Sequence, residues 1–483
     1  MKNAAAILLA LTFATALGAA TSGVAPRTTN NDDSCDISMQ PAATLLLPYF
    51  EVDFNAPSIV AVNTLFTIQN VSPMPQIANV TIWTDYSFPV VDIPIFLTGY
   101  DVQSINMYDV LNRGVFGSSS GTSSAEPVPT NDPSGSQPLA NSANPNFLAS
   151  AALDCGPGRV PGIIPAVILQ GMREILTLGR TTGFLACNNS AGNTQQVGGA
   201  HQHAIGYVTI DVVATCTTTN PSSPNYYSSV LLFDNVLTGD YQQIVPRGER
   251  SYALGGPLVH IRAVPEGGRP GSTVVETSLP YTFYDRYTND APARTFDRRQ
   301  PLPSVFAPRF IHGGVGGFNT SYKIWREGLT GSKAACNTYV SNNLMPITEI
   351  VQFDEHENAS VLVPTPLVTP PPPARSLPST AIATVNDSGL FPVTSPSGDV
   401  AGWFFMNLNN GGSSAYSAGT YPSGIGRDFH SGTSARQSQN WVITSMFGEP
   451  TYAIESTAVA LGNGCSPAPA AGTQIAPAAN ATP

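Results

Sequence analysis

The chain has 483 residues, a formal net charge of −11 and a pI near 4.9, and only 11% of its residues are charged. Ordinary soluble domains carry ~25% charged residues; here Ser, Thr, Asn, Gln, Gly and Pro take their place, and Lys occurs only as Lys2, Lys323 and Lys333. An acidic chain so poor in lysine lacks the basic patches that nucleic acid or an anionic membrane surface requires, so neither is an expected partner.

Lys2 precedes an apolar run from Ala4 to Leu17, followed by Gly18, Ala19 and Ala20. A positive end, a short apolar core and small residues are the layout of a secretory signal peptide, with cleavage expected after Ala20. The run of about 14 residues is shorter than the ~20 needed to span a bilayer. Ile163–Leu178 carries Pro165, Gln170, Arg173 and Glu174, so no transmembrane segment is expected after cleavage. The first cysteine is Cys35, too distant for a lipid anchor on a new N-terminal Cys. The expectation is an exported chain, periplasmic, cell-surface or extracellular, long enough for two or three domains.

Residues 21–43 read as a flexible polar segment. From Thr44 the pattern becomes that of short strands. Residues 45–53 are an apolar run that turns into alternation, 64–70 and 79–86 alternate apolar and polar side chains, and 93–97 and 102–110 follow, with Thr98-Gly99 as a break. From Gly117 to Asn146 large apolar side chains nearly vanish, which predicts a low-complexity loop. A helix is expected over Pro165–Leu178, with Val167, Ile168, Gly171, Ile175 and Leu178 on its buried face. Strands resume at 206–213, then at 230–233, 241–245, 258–263, 281–287, 306–311 and 321–325. Strands at 348–353, 361–363, 400–408, 440–447 and 452–461 complete the pattern, interrupted by a polyproline stretch at Pro370–Pro373. The predicted fold is mainly β: two antiparallel Ig-like β-sandwich domains, residues 44–335 with 113–200 inserted as loop and helix, and residues 345–466, before an Ala/Pro-rich tail at 467–483.

Six cysteines and an export signal favour three disulfides over metal ligation, and no C-x-x-C pair occurs. Six allow many connectivities. Position ranks Cys187–Cys216 first, since they bracket a loop and one strand, then Cys336–Cys465 around the last β region, leaving Cys35–Cys155.

Several blocks carry a resemblance: Ala43-Thr44-Leu45-Leu46-Leu47-Pro48-Tyr49-Phe50-Glu51-Val52-Asp53, Trp83-Thr84-Asp85 and Leu97-Thr98-Gly99-Tyr100-Asp101-Val102-Gln103. Gly206–Val213, Gly239-Asp240-Tyr241, Pro257-Leu258-Val259-His260-Ile261 and Gln439-Asn440-Trp441-Val442 belong with them. With these blocks the chain resembles a family of exported bacterial β-rich proteins. The resemblance implies a β-sandwich and brings no activity, ligand or catalytic residue.

Candidate chemistry is sparse. Gly117-Ser118-Ser119-Ser120-Gly121 fits the G-x-S-x-G pattern, but sits in a Ser/Gly-rich loop without the strand and helix that expose such a nucleophile. His201 and His203 would share a strand face, and His260 or a carboxylate would be needed to complete a metal site; the preceding Gly198-Gly199-Ala200 reads as loop, so no metal is expected. Asp354, Glu355 and Glu357 read as a solvated hairpin turn rather than a glycosidase pair, and Asp32 with Asp33 as a polar run. Trp83, Trp325, Trp403 and Trp441 lie in strand patterns and are expected in cores. Arg294, Arg298 and Arg299 with Asp297 read as a surface run. Seven N-x-[ST] matches, at Asn70, Asn79, Asn188, Asn319, Asn358, Asn386 and Asn480, matter only on a eukaryotic secretory path. The function read from the sequence is therefore non-catalytic: a structural, adhesive or binding role toward a glycan or protein at the cell surface, with no cofactor. A secreted polysaccharide-acting hydrolase is the alternative.

Overall fold

The computed structural model describes residues 35–58, 60–115, 164, 166–180, 197–215, 221, 226–247, 250–267, 297–327, 345–347, 349–363, 376–386, 391–393, 400–408, 439–448 and 452–462. Residues from Cys35 onward form one compact unit. The N-terminal part runs β1 (Thr44–Val52), β2 (Asn63–Asn70), β3 (Gln76–Thr84), β4 (Pro89–Leu97), β5 (Val102–Asn106), α1 (Met107–Arg113), α2 (Ala166–Leu178), β6 (Ala204–Val213), α3 (Tyr226–Ser229), β7 (Leu237–Thr238), β8 (Asp240–Arg247), β9 (Arg250–Pro257) and β10 (Val259–Ile261). The remainder runs β11 (Val305–Ala307), β12 (Arg309–Ile311), β13 (Asn319–Arg326), β14 (Met345–Pro346), β15 (Glu349–Asp354), β16 (Ala359–Val363), β17 (Ser376–Leu377), β18 (Thr380–Thr384), β19 (Ala401–Asn407), β20 (Asn440–Gly448), β21 (Tyr452–Thr457) and β22 (Val459–Ala460).

The fold is mainly β, and its pairings are antiparallel. The first sheet has the order β10-β1-β6-β3-β4, so β6 lies between β1 and β3 across the long insertion. A second sheet runs β5-β2-β8-β9, with β7 also on β2. Beyond residue 300 a third sheet runs β18-β13-β20-β21 and a fourth β16-β15-β19-β11-β22, with β12 on β19 and a small β14–β17 pair apart. The first two sheets and both longer helices share one apolar cluster that includes Leu45, Leu47, Ile68, Val80, Ile105, Ile175 and Val208. The third and fourth share another around Phe310, Tyr322, Ile324, Phe404 and Val442.

The first sheet is buried on both faces. Along β1, Leu45 and Leu47 enter the first cluster while Leu46 enters a separate one with Trp83, Tyr207, Val259 and Trp325. Trp83 and Tyr207 stack at 5.7 Å, and Tyr207 meets Trp325 of β13 edge-on at 5.9 Å. Such pairs add about 0.5–1.5 kcal/mol beyond their burial. Trp325 therefore ties β13 to the first sheet. Hydrogen bonds do the same: Ser87 Oγ donates to Ser379 Oγ at 2.7 Å, and Thr380 Oγ1 to the Pro48 carbonyl at 2.7 Å.

A sheet buried on both faces must satisfy its polar side chains internally. Asp211 of β6 is fully buried and accepts from Thr44 Oγ1, from Tyr226 Oη at 2.7 Å and from Arg299 at 3.0 Å. Arg299 also grips Asp297 through Nε at 2.9 Å and its second terminal nitrogen at 3.2 Å. This corrects the sequence expectation of a surface run: Arg299 and Asp297 are 0% and 1% exposed. Arg298 is buried too, 4.4 Å from the centre of the Phe233 ring; Arg294 lies outside the described residues. Two carboxylates and two hydroxyl donors around one guanidinium make its burial tolerable.

Three further expectations change. Residues 102–110 were expected as one strand, but Asn106 ends β5 and caps α1, its side chain accepting from the Tyr108 N–H at 3.0 Å. Gly114 stops that helix in the left-handed region, φ 72°. In α2 the buried face is Ile168, Leu169, Met172, Ile175 and Leu176, while Val167 and Leu178 are exposed, a rotation that brings the most bulk onto the sheet. Instead of a strand at 230–233, a helical turn at Tyr226–Ser229 places Tyr226 on Asp211, and only Leu231 bridges to Val213. The GSSSG loop, the 281–287 strand, residues 1–34 and the tail lie outside the described residues.

Replacing Arg299 by Met should cost about 3–5 kcal/mol, because Asp211 and Asp297 would stay buried without their cation. Urea unfolding of the full chain measures this. A loss below about 1 kcal/mol would show that the cluster is not a structural keystone.

Candidate functional site

Where the first two sheets meet the third, a cleft of about 190 Å³ opens. One wall comes from β8 and β9 and includes Gln243, Val245, Arg247 and Leu254; β1 contributes Glu51. The opposite wall is one face of the third sheet. Strand alternation sends Tyr322 and Ile324 of β13 into the core behind it and leaves Asn319, Ser321 and Lys323 for the cleft. The register then sets Thr384, Ser321 and Ser445 in one row across β18, β13 and β20, with Glu455 of β21 beside Ser445. The next row pairs Lys323 with Ile382, and the one on the other side pairs Asn319 with Phe447. The wall is thus a row of hydroxyls flanked by short apolar patches.

The ionisable groups inside the cleft, Glu51 and Lys323, are held within the fold. Lys323, 2% exposed, donates to Glu455, which also accepts from Tyr241 at 2.6 Å and from Ser445 at 2.7 Å. Burial lowers the Lys323 pKa, opposed by Glu455 and then Glu51. Glu51 accepts from Tyr49 Oη at 2.8 Å and lies 2.6 Å from His203 Nδ1, whose Nε2 is 3.7 Å from Asp53. Arg247 sits 3.8 Å over the Phe447 ring at the rim.

The histidines weighed from sequence are brought to separate partners. His201 Nε2 lies 2.8 Å from Asp85, whose other oxygen takes the Gly199 N–H at 2.9 Å. His203 faces Glu51. His260 is opposite Leu45 on β10, six residues up β1 from Glu51 or roughly 20 Å by strand rise, and lies 2.9 Å from the Gln40 carbonyl. Among the described residues no three His, Cys, Asp or Glu side chains are grouped to hold a metal ion.

Asp354 closes the β15–β16 hairpin. Its carboxylate accepts from the His356 and Asn358 N–H groups, both at 2.9 Å, and from the Asn358 amide at 2.9 Å. Glu355 and Glu357 are exposed on that turn. Trp83 and Trp325 are fully buried; Trp403, stacked on Phe353 at 4.5 Å, and Trp441 are half-buried. Asn70 and Asn79 are buried, so neither glycosylation match is accessible in the folded chain. Cys35 is buried and is not a free thiol. The other disulfide candidates, Cys155, Cys187, Cys216, Cys336 and Cys465, and also Asp32 and Asp33, lie outside the described residues. No helix among the described residues is long and apolar enough to cross a membrane. The cleft residues Gln243, Ser321 and Lys323 escaped sequence reasoning. A lysine at an alternating strand position in so lysine-poor a chain was the available signal.

Comparison with family models, with curated proteins and with solved structures finds no match to this chain.

The buried hydroxyls around the first sheet and the cleft give stability an alkaline limit. Tyr49, Tyr226, Tyr241 and Tyr322 have pKa values raised well above the ordinary one, first by burial, with Glu51, Asp211 and Glu455 adding to the first three. Above about pH 10 the unfolded chain releases these protons and the folded chain keeps them, so stability falls as pH rises. Lys323 acts oppositely: its folded pKa is depressed, so the unfolded chain holds that proton longer, and four tyrosines outweigh it. The urea midpoint should therefore drop between about pH 9 and about pH 11. Tyr322→Phe, where burial is the cause of the shift, should make that drop shallower. A flat or rising midpoint would contradict the assignment.

Proposed function

We propose that this chain is an exported, non-catalytic β-sandwich protein that acts by binding a partner at or outside the cell surface. The observation that carries this reading is the condition of the cleft. Glu51 is bonded by Tyr49 and His203, and Lys323 and Glu455 are bonded to each other, so the charges serve the fold. What remains for a partner is hydroxyl, amide and apolar surface with the Arg247 guanidinium at the rim, which suits recognition rather than proton transfer. The Lys2–Ala20 layout supports export, and the low charge suits a protein outside the cell. Two sheet pairs, each closing on its own apolar cluster, support two Ig-like sandwiches. Buried Cys35 supports the three-disulfide framework. The resemblance of blocks such as residues 43–53 and 206–213 supports membership of a family of exported bacterial β-rich proteins.

The test is incubation of the mature protein with a panel of soluble and insoluble polysaccharides, following both retention and the release of reducing ends. Retention without release is expected. Release that disappears in Glu51→Gln would replace this reading by a secreted polysaccharide hydrolase.

A further inference from the structure

We infer that the cleft between β8–β9 and the β18-β13-β20 face is a binding site for one ring of a neutral saccharide; this rests on the binding reading above and names its ligand class. Two side chains point to a ligand. Gln243 and Ser321 line the cleft, are 3% and 5% exposed, and their side-chain polar atoms have no hydrogen-bond partner among the described residues. Their polar atoms open onto the cleft rather than being sealed in the core, so they are free to donate to and accept from a group that enters it.

The surrounding charge selects a neutral group. Lys323 is matched by Glu455 and the remaining cation, Arg247, lies over the Phe447 ring at the mouth, so an anion seated within the cleft would meet Glu51. A cation would meet a Glu51 already bonded twice, with the Lys323 ammonium near. A carboxylate has about four lone-pair sites, so Glu51 can still accept from ligand hydroxyls. Sugar hydroxyls donate and accept, which matches Gln243, Ser321 and Glu51 together. Val245, Leu254 and Phe447 meet the apolar C–H surface of such a ring. The volume of about 190 Å³ corresponds to about six waters at ~30 Å³ each, room for a single hexose unit. Arg247 and Ile382 are exposed at the mouth, where the rest of a chain would leave.

The experiment uses the full mature protein and four probes: the methyl glycosides of glucose, galactose, mannose and N-acetylglucosamine. Binding is read by saturation-transfer NMR and titration calorimetry. At least one glycoside should bind, and Gln243→Met and Ser321→Ala should each weaken it at least about tenfold. Gln243→Met should keep or raise the melting temperature, because the amide loses no partner in the free protein; lost binding is then not lost folding. No binding of any probe at about 10 mM would overturn the inference. So would binding that both variants leave unchanged. An unchanged affinity in both variants would move the sugar elsewhere and leave the binding reading standing, whereas release of reducing ends defeats that reading alone.

Discussion

The first sheet is buried on both faces, and the Arg299 cluster is the condition that allows it. One face of β1, β6 and β3 is conventional apolar packing. The other carries Thr44, Asp211, Asn79, Thr81 and Thr209, all fully buried. Water cannot satisfy them there. Arg299 brings a cation to Asp211 and Asp297, Tyr226 and Thr44 donate to Asp211, and Trp83 donates to Thr209 at 2.8 Å. The guanidinium fork fits this task because it presents donors in several fixed directions at once. Segments hundreds of residues apart in the chain converge on it, so the cluster also fixes which strand lies beside which.

Burying that second face lets Trp325 of β13 meet Tyr207 edge-on, and this brings the third sheet beside the first two. The cleft follows from that contact. β13 turns its large apolar residues toward the core behind and its Asn, Ser and Lys toward β8 and Glu51. Lys323 and Glu455 neutralise each other in a place where either alone would be severely destabilising. Glu51 is braced by Tyr49 and His203. The site is thus assembled from strands of both sheet pairs, and the cleft between its walls would not exist in either pair alone.

Strand positions were largely legible because period-two alternation needs only neighbouring residues. β2, β3, β6, β13, β15 and β20 all announce themselves this way. The failures have local causes. α1 hides behind the alternation of β5, though Asn106 and Gly114 are its cap and stop. In α2, Ile168, Gly171 and Ile175 are buried as expected, but Val167 and Leu178, as apolar as the residues that packed, face outward. Arg298 and Arg299 read as surface because charge is buried only when distant partners exist, and Asp211 is far off in sequence.

The sequence by itself determined the mainly β fold, the helix at 166–178 and the hairpin turn at Asp354, because each depends on side chains a few positions apart. Tertiary structure alone decided that Arg299 is a core residue, that His201, His203 and His260 go to three different places, and that Gln243, Ser321 and Glu51 face one cleft. Those outcomes depend on strand order and register between segments as far apart as β1 and β20. A one-residue change of register turns a side chain from the cleft to the core, and no local pattern specifies which strands will be neighbours.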